Sequence, residues 1–215
     1  MLTKEMIEEN KNRFIGLLKD SLVDRPGAQT EALVAKLCNS DFFIAPASTK
    51  YHANYEGGLC EHSLNVYDNL MNLIKIKNFE DKINNSSATV VALLHDISKM
   101  NYYEQYFQNK KVYSPNGSKY DEGGKYDWKS ISAYKRREPD NVFIYGSHEM
   151  NAEYITHCYI PLTIDESIAI LHHMGSMSWD SAKDNIGDVF NQYSLALLVY
   201  MADMMSTYID ERNFD

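Results

Sequence analysis

The chain has 215 residues, of which 44% are apolar and 24% charged, and its net charge is −9. That length favours one domain, large enough to bury a core without a disulfide or a metal, and the composition excludes disorder as the dominant state. The acidic balance argues against a broad double-stranded nucleic-acid binder or a protein that coats an anionic membrane.

In chain order, nearly everything reads as helix. Residues 3–22 set Met6, Ile7, Phe14, Ile15, Leu18 and Leu22 along an amphipathic stripe that Arg25-Pro26-Gly27 ends. A second helix, about 28–38, places Leu33, Val34 and Leu37 on one face and stops at Asn39-Ser40-Asp41. Ala45-Pro46-Ala47-Ser48 begins an irregular segment running to Gly57-Gly58, and a helix follows from about Leu59 to Ile76. The next helix, Ala88–Lys99, is apolar and ends in His95-Asp96. Thr163-Ile164-Asp165-Glu166 is a capping box that opens a helix carrying Ile168, Ile170, Leu171 and the pair His172-His173. The last helix, about 190–210, is the most apolar.

Residues 100–145 break this pattern. They contain Pro115-Asn116-Gly117, Gly123-Gly124 and eight tyrosines with little helical period, so the stretch is irregular or holds a hairpin across Val112–Tyr126. From Lys99 to Asp140 there are 9 basic and 6 acidic residues, a balance of +3 on a chain whose remainder carries −12. Loops this long in a compact domain are usually lids or disordered segments. The three cysteines, Cys38, Cys60 and Cys158, form no C-x-x-C pair and are odd in number, the usage of a reducing compartment. The N-terminus lacks the apolar run of a secretory signal, and Leu195–Met205, interrupted by Asp203, is too short for a membrane span, so a cytoplasmic protein is expected.

The ionisable residues carry the chemical information. Three segments that read as buried helix contain metal-ligand side chains: Val90–Asp96, Ala169–His173 and Leu197–Asp203. An unpaired carboxylate in such surroundings is costly, and a divalent cation relieves that cost while accepting imidazole and carboxylate ligands. A lone buried Asp is more often satisfied by an Arg, an amide or a Tyr hydroxyl, and a lone His is more often a hydrogen-bonded core residue. The conjunction of these residues is what points to a metal.

The order His62, His95-Asp96, Asp203 resembles the H…HD…D signature of the HD-domain phosphohydrolases. Gly58-Leu59-Cys60-Glu61-His62-Ser63-Leu64, Leu93-Leu94-His95-Asp96-Ile97-Ser98-Lys99 and Met201-Ala202-Asp203 resemble that family's motif helices. Tyr145-Gly146-Ser147-His148 and His172-His173-Met174-Gly175 resemble the extra histidines of a subgroup that includes the HD-type 3′→5′ exoribonucleases and many bacterial and phage hydrolases. Here His148 follows Gly146 by two positions and Met174 separates the His pair from its glycine; His173 is preferred to His172 as the ligand.

The resemblance implies an all-α, HD-domain helical bundle over 45–212, interrupted by the insert at about 100–145, with residues 1–44 a helical segment packed on it. It implies one metal held by His62, His95, Asp96 and Asp203, and a second held by His148 and His173 with Asp96 as the bridge. Mn²⁺, Fe²⁺, Co²⁺, Ni²⁺ or Zn²⁺ suits such a ligand set better than Mg²⁺. Asp96 and Lys99 would serve catalysis, with Lys99 contacting phosphate or balancing charge. His52, Glu61 and His172 would line the substrate or support the ligands. The implied activity is metal-activated hydrolysis of a phosphoester in a nucleotide or short oligonucleotide. A non-catalytic module of the same fold that senses a nucleotide or metal is the alternative.

Overall fold

The Thr3 hydroxyl accepts the Met6 amide and opens α1 (Lys4–Leu22), whose Phe14, Leu18 and Leu22 are buried. The computed structural model describes residues 2–120, 124–175 and 185–211. After α2 (Thr30–Cys38), the rings of Phe14, Phe42 and Phe43 meet edge-on with centroids 5.1–5.7 Å apart, sealing the N-terminal segment onto the core.

The start of α3 (Gly58–Ile76) depends on two glycines. Gly57 lies at φ +85°, a left-handed conformation, and a Cβ on Gly58 would stand 2.1 Å from the Ala53 carbonyl oxygen. Only glycine allows the 48–57 turn to close this tightly on the helix. Next, the Asn84 side chain accepts the Ser86 and Ser87 amides to open α4 (Asn85–Leu94). Every residue of α4 from Ala88 to Leu94 is buried, and the helix packs against α1, α3, α6 (Ile164–Leu171) and α8 (Ser194–Met205). Two further helices among the described residues are α5 (His148–His157) and α7 (Ile186–Gln192), and a π-helical turn, Ser206–Asp210, extends α8.

The all-α expectation does not hold. Helix makes up 54% of the structure, and the insert forms a two-stranded antiparallel sheet, so the fold is mixed α/β. β1 (Tyr103–Tyr113) pairs with β2 (Tyr126–Arg136) in a continuous register from Tyr103↔Arg136 to Tyr113↔Tyr126. The strands thus flank Val112–Tyr126, and that segment is mostly their connection. Arg137 anchors the base of the ribbon: its Nε donates to the Tyr103 carbonyl at 2.8 Å and its Nη2 to Asp41 at 3.3 Å.

Two helix ends also differ from expectation. The helix over 88–99 stops at Leu94; His95 and Asp96 form the exit and Ile97–Lys99 a 3₁₀ turn. The final helix is interrupted at Tyr193, which separates α7 from α8. The capping box forms as expected, with the Thr163 amide donating to Glu166 at 2.8 Å and the Glu166 amide donating back to the Thr163 hydroxyl at 3.3 Å. Arg25 clamps the same Glu166 through both guanidinium nitrogens and also donates to the Pro161 carbonyl at 2.7 Å. Among the described residues no helix is long and apolar enough to cross a membrane.

Candidate metal centre

His95 and His173 are held in the same way. Each follows the C-terminal end of a helix and turns its ring back, donating from Nδ1 to the carbonyl three residues earlier: His95 to Ala92 at 2.8 Å, His173 to Ile170 at 2.7 Å. A carbonyl only accepts, so Nδ1 carries the proton and Nε2 presents a lone pair. Burial keeps both rings neutral; it lowers the pKa of His95 and, with the neighbouring His95 and His148, pushes His173 down to about 3. Because α4 and α6 both end here, their partial negative charge adds to a site that attracts cations.

Asp96 lies between two sets of rings. Its Oδ2 is 3.6 Å from Nε2 of both His62 and His95, while its Oδ1 is 3.3 Å from Nε2 of His148 and 3.7 Å from that of His173. Asp203, from α8, reaches His62 Nε2 at 3.1 Å. The ligand atoms of His62, His95 and Asp96 lie within 4.8 Å of one another, as do those of Asp96, His148 and His173, and those of His95, His173 and Asp203. All six residues expected to hold metal therefore meet at one place.

This donor set fits a cation. Asp96 Oδ1 is buried and has no hydrogen-bond partner among the described residues. His173 Nε2 faces it with a lone pair, and His148 Nε2, 3.0 Å from His173 Nε2, has one proton at most to share between them in its neutral form. Around the other oxygen, His95 Nε2 lies 3.4 Å from His62 Nε2. Burial opposes charging His62, but Glu211 and Asp203 outweigh it and push the ring up to about 10. A proton on His62 thus does part of what a metal would do. Among the described residues, Asp96, Asp203 and Glu211 face Lys99 and protonated His62, and a fourth carboxylate, the buried Glu149, lies 3.5 Å from His148 Nδ1.

The other expected residues separate. Lys99 Nζ sits 2.6 Å from Asp96 Oδ2, which makes it the charge partner of that carboxylate. Burial raises the cost of the Asp96 charge, yet Lys99, His95 and His148 hold its carboxyl well below the usual range. The His52 ring lies 4.9 Å from that of His62 and tilted 42° to it, its Nε2 is buried with no hydrogen-bond partner among the described residues, and burial with His62 nearby pushes its pKa down to about 4. Glu61 turns away and accepts a 2.5 Å hydrogen bond from the Tyr55 hydroxyl. His172 forms the cap of α6 and belongs to none of the four groups of candidate ligand atoms among the described residues, whereas His173 belongs to two of them.

Glu211 was not anticipated from the sequence. Its oxygens lie 3.0 and 3.1 Å from His62 Nδ1, and Asn65 Nδ2 donates to it at 3.0 Å. The π-helical turn after α8 brings it back onto α3, and no local spacing in the sequence announces that. The centre opens into a cavity of about 610 Å³ lined by Lys50, Tyr51, His52, Lys99, His148 and Tyr208. A groove of about 700 Å³ beside Arg25 and Glu166 is larger, but those two charges neutralise each other.

No family model, curated protein or solved structure matches this chain.

Proposed function

We propose that this protein is a metal-dependent phosphohydrolase of the HD-domain kind, acting on a phosphoester of a nucleotide or short oligonucleotide. The convergence of the two Asp96 oxygens on four imidazole Nε2 atoms is the observation that carries the reading. The order of His62, His95-Asp96 and Asp203 along the chain supports it, as does the cavity beside the cluster. These residues would hold one or two divalent ions, whose chemistry would be to acidify a bound water and to offset phosphoryl charge. Asp96 would bridge the two halves, with His62, His95 and Asp203 on one side and His148 and His173 on the other. Lys99 holds the Asp96 carboxylate in place and keeps it ionised. Lys50, exposed at the cavity, is placed to receive an anionic substrate. Neutral His52 offers that substrate a hydrogen bond without adding charge.

The test is metal content by elemental analysis of protein purified without chelators, followed by assay of the reloaded protein on nucleoside mono- and triphosphates, a phosphodiester and short oligonucleotides. About two equivalents of transition metal and turnover that disappears in Asp96→Ala are expected. Metal binding without turnover on any of these substrates would favour the sensing module. No metal even after reloading would overturn the metal centre.

A further inference from the structure

The sheet in the insert is a ribbon with two unlike faces. Paired residues of an antiparallel ladder share a face, and alternate positions point to opposite sides. The face that starts with Tyr103↔Arg136 carries six aromatic rings, Tyr103, Phe107, Tyr113, Tyr126, Trp128 and Tyr134, with the cations Lys111 and Arg136 and no carboxylate. The opposite face has one aromatic residue, Tyr106, and holds both acids of the strands, Glu104 and Asp127.

Packing accounts for only part of the aromatic face: Tyr103, Tyr113 and Tyr134 are half-buried, and the other three rings are exposed. Phe107 is 73% and Trp128 61% exposed. Lys111 Nζ lies 4.3 Å from the Tyr126 centroid and 5.4 Å from that of Trp128, and Arg136 stacks 4.7 Å from Tyr102. Arg136 makes no ion pair among the described residues, although the neighbouring Lys135 and Arg137 each have one. At the base of this face, Tyr103 and Arg136 line a cavity of about 270 Å³ with Ser98, Lys99 and His148. The Ser98 hydroxyl there is buried and has no hydrogen-bond partner among the described residues. The face therefore runs about 33 Å, ten strand steps, from its tip to the edge of the metal centre.

We propose that this face of the ribbon is a binding track for single-stranded nucleic acid, with bases stacked on its rings, the backbone running along Lys111 and Arg136, and one phosphate seated at Arg136 and Ser98. Six rings and two cations with no carboxylate among them match a polymer that presents π-faces and phosphates. The basic balance of the insert on an otherwise acidic chain keeps a strand on the ribbon and off the body. A second copy of this chain is less well suited, because Lys111 and Arg136 would face their own like charges across a symmetric contact. The inference rests on the proposed phosphohydrolase only for the direction of the strand, whose end enters the centre. It makes the substrate an oligonucleotide in preference to a free nucleotide.

The experiment is fluorescence anisotropy with labelled oligouridylates and oligothymidylates of two to twelve nucleotides, in EDTA and low salt so that nothing is turned over. Affinity should tighten with length and level off once the strand spans the track. Phe107→Ala and Trp128→Ala should each weaken binding of the octamer by about fivefold or more. Lys111→Ala and Arg136→Ala should each lower the salt slope by about 0.7. Lys110→Ala and Lys129→Ala, on the opposite face, should change affinity less than any of these. Wild-type affinity in all four track variants would overturn the proposal, as would an octamer that binds no tighter than uridine monophosphate. So would a dimer in sedimentation that Trp128→Ala dissociates while no strand binds. Metal content is measured separately, so failure of the track and failure of the hydrolase are told apart.

Discussion

Replacing Asp96 by Asn keeps the side chain's shape and removes the charge shared by both halves of the centre. Its oxygens face four Nε2 atoms at 3.3–3.7 Å and the Lys99 ammonium at 2.6 Å. Without metal, the substitution strands Lys99, and orphaning one member of a buried ion pair costs about 3–5 kcal/mol. With metal, the effect is larger in kind. An ion present at a thousand times its dissociation constant stabilises the wild type by about 4 kcal/mol. At about 2–4 °C per kcal/mol for a chain of this size, that raises the melting temperature by about 8–16 °C. The assay is differential scanning calorimetry of both proteins, chelated and with saturating Mn²⁺ or Zn²⁺, alongside metal analysis. The wild type should show the rise and Asp96→Asn should lose most of it, starting from a lower chelated melting temperature. An equal rise in both proteins, with equal equivalents bound, would refute Asp96 as the bridging ligand.

Glu166→Gln should destabilise the fold by about 3 kcal/mol in urea titrations at pH 7, because it leaves Arg25 without its clamped carboxylate. Burial works against the Glu166 charge, but Arg25 and the Thr163 amide hold its carboxyl below the usual range. A depressed native pKa means that this contribution is complete above the unfolded value, about 4.3, and is lost as pH falls through the native one. The gap between wild type and Glu166→Gln should therefore close on acidification below about pH 4.3; a gap independent of pH would contradict the assignment. Gly58→Ala puts a methyl group 2.1 Å from the Ala53 carbonyl and should cost about 1–3 kcal/mol, with weaker metal binding because the 48–57 turn that carries His52 must move. Unchanged urea stability and metal affinity would count against that account.

The features legible from sequence were those set by neighbours along the chain. The capping box at Thr163 and Glu166 is a four-residue signal, and the buried stripe of α4 is a run of apolar side chains. Most of the residues that gather around Asp96 were legible because His and Asp stand out in such runs. The ribbon was legible only as a possible hairpin across Val112–Tyr126; its full length was not, because neither face of most of that length packs on the core. The early end of α4 was hidden for a different reason. Nothing in Asp96-Ile97-Ser98-Lys99 forbids helix, and the chain leaves the helix where Asp96 meets histidines from elements far away in sequence. Glu211 depends on a π-helical turn that returns it to His62, a contact across 149 positions.

The way the rings are oriented has a consequence for mutational tolerance. His95 and His173 are aimed by main-chain carbonyls, which every amino acid supplies, so changes at Ala92 or Ile170 that preserve the helix leave the aim of those rings intact. His62 is aimed by the Glu211 side chain, which only one residue type supplies in full. Sequence drift around this centre is thus tolerated unevenly: two of its four imidazoles take their aim from the main chain, and another, His62, depends on the single carboxylate of Glu211.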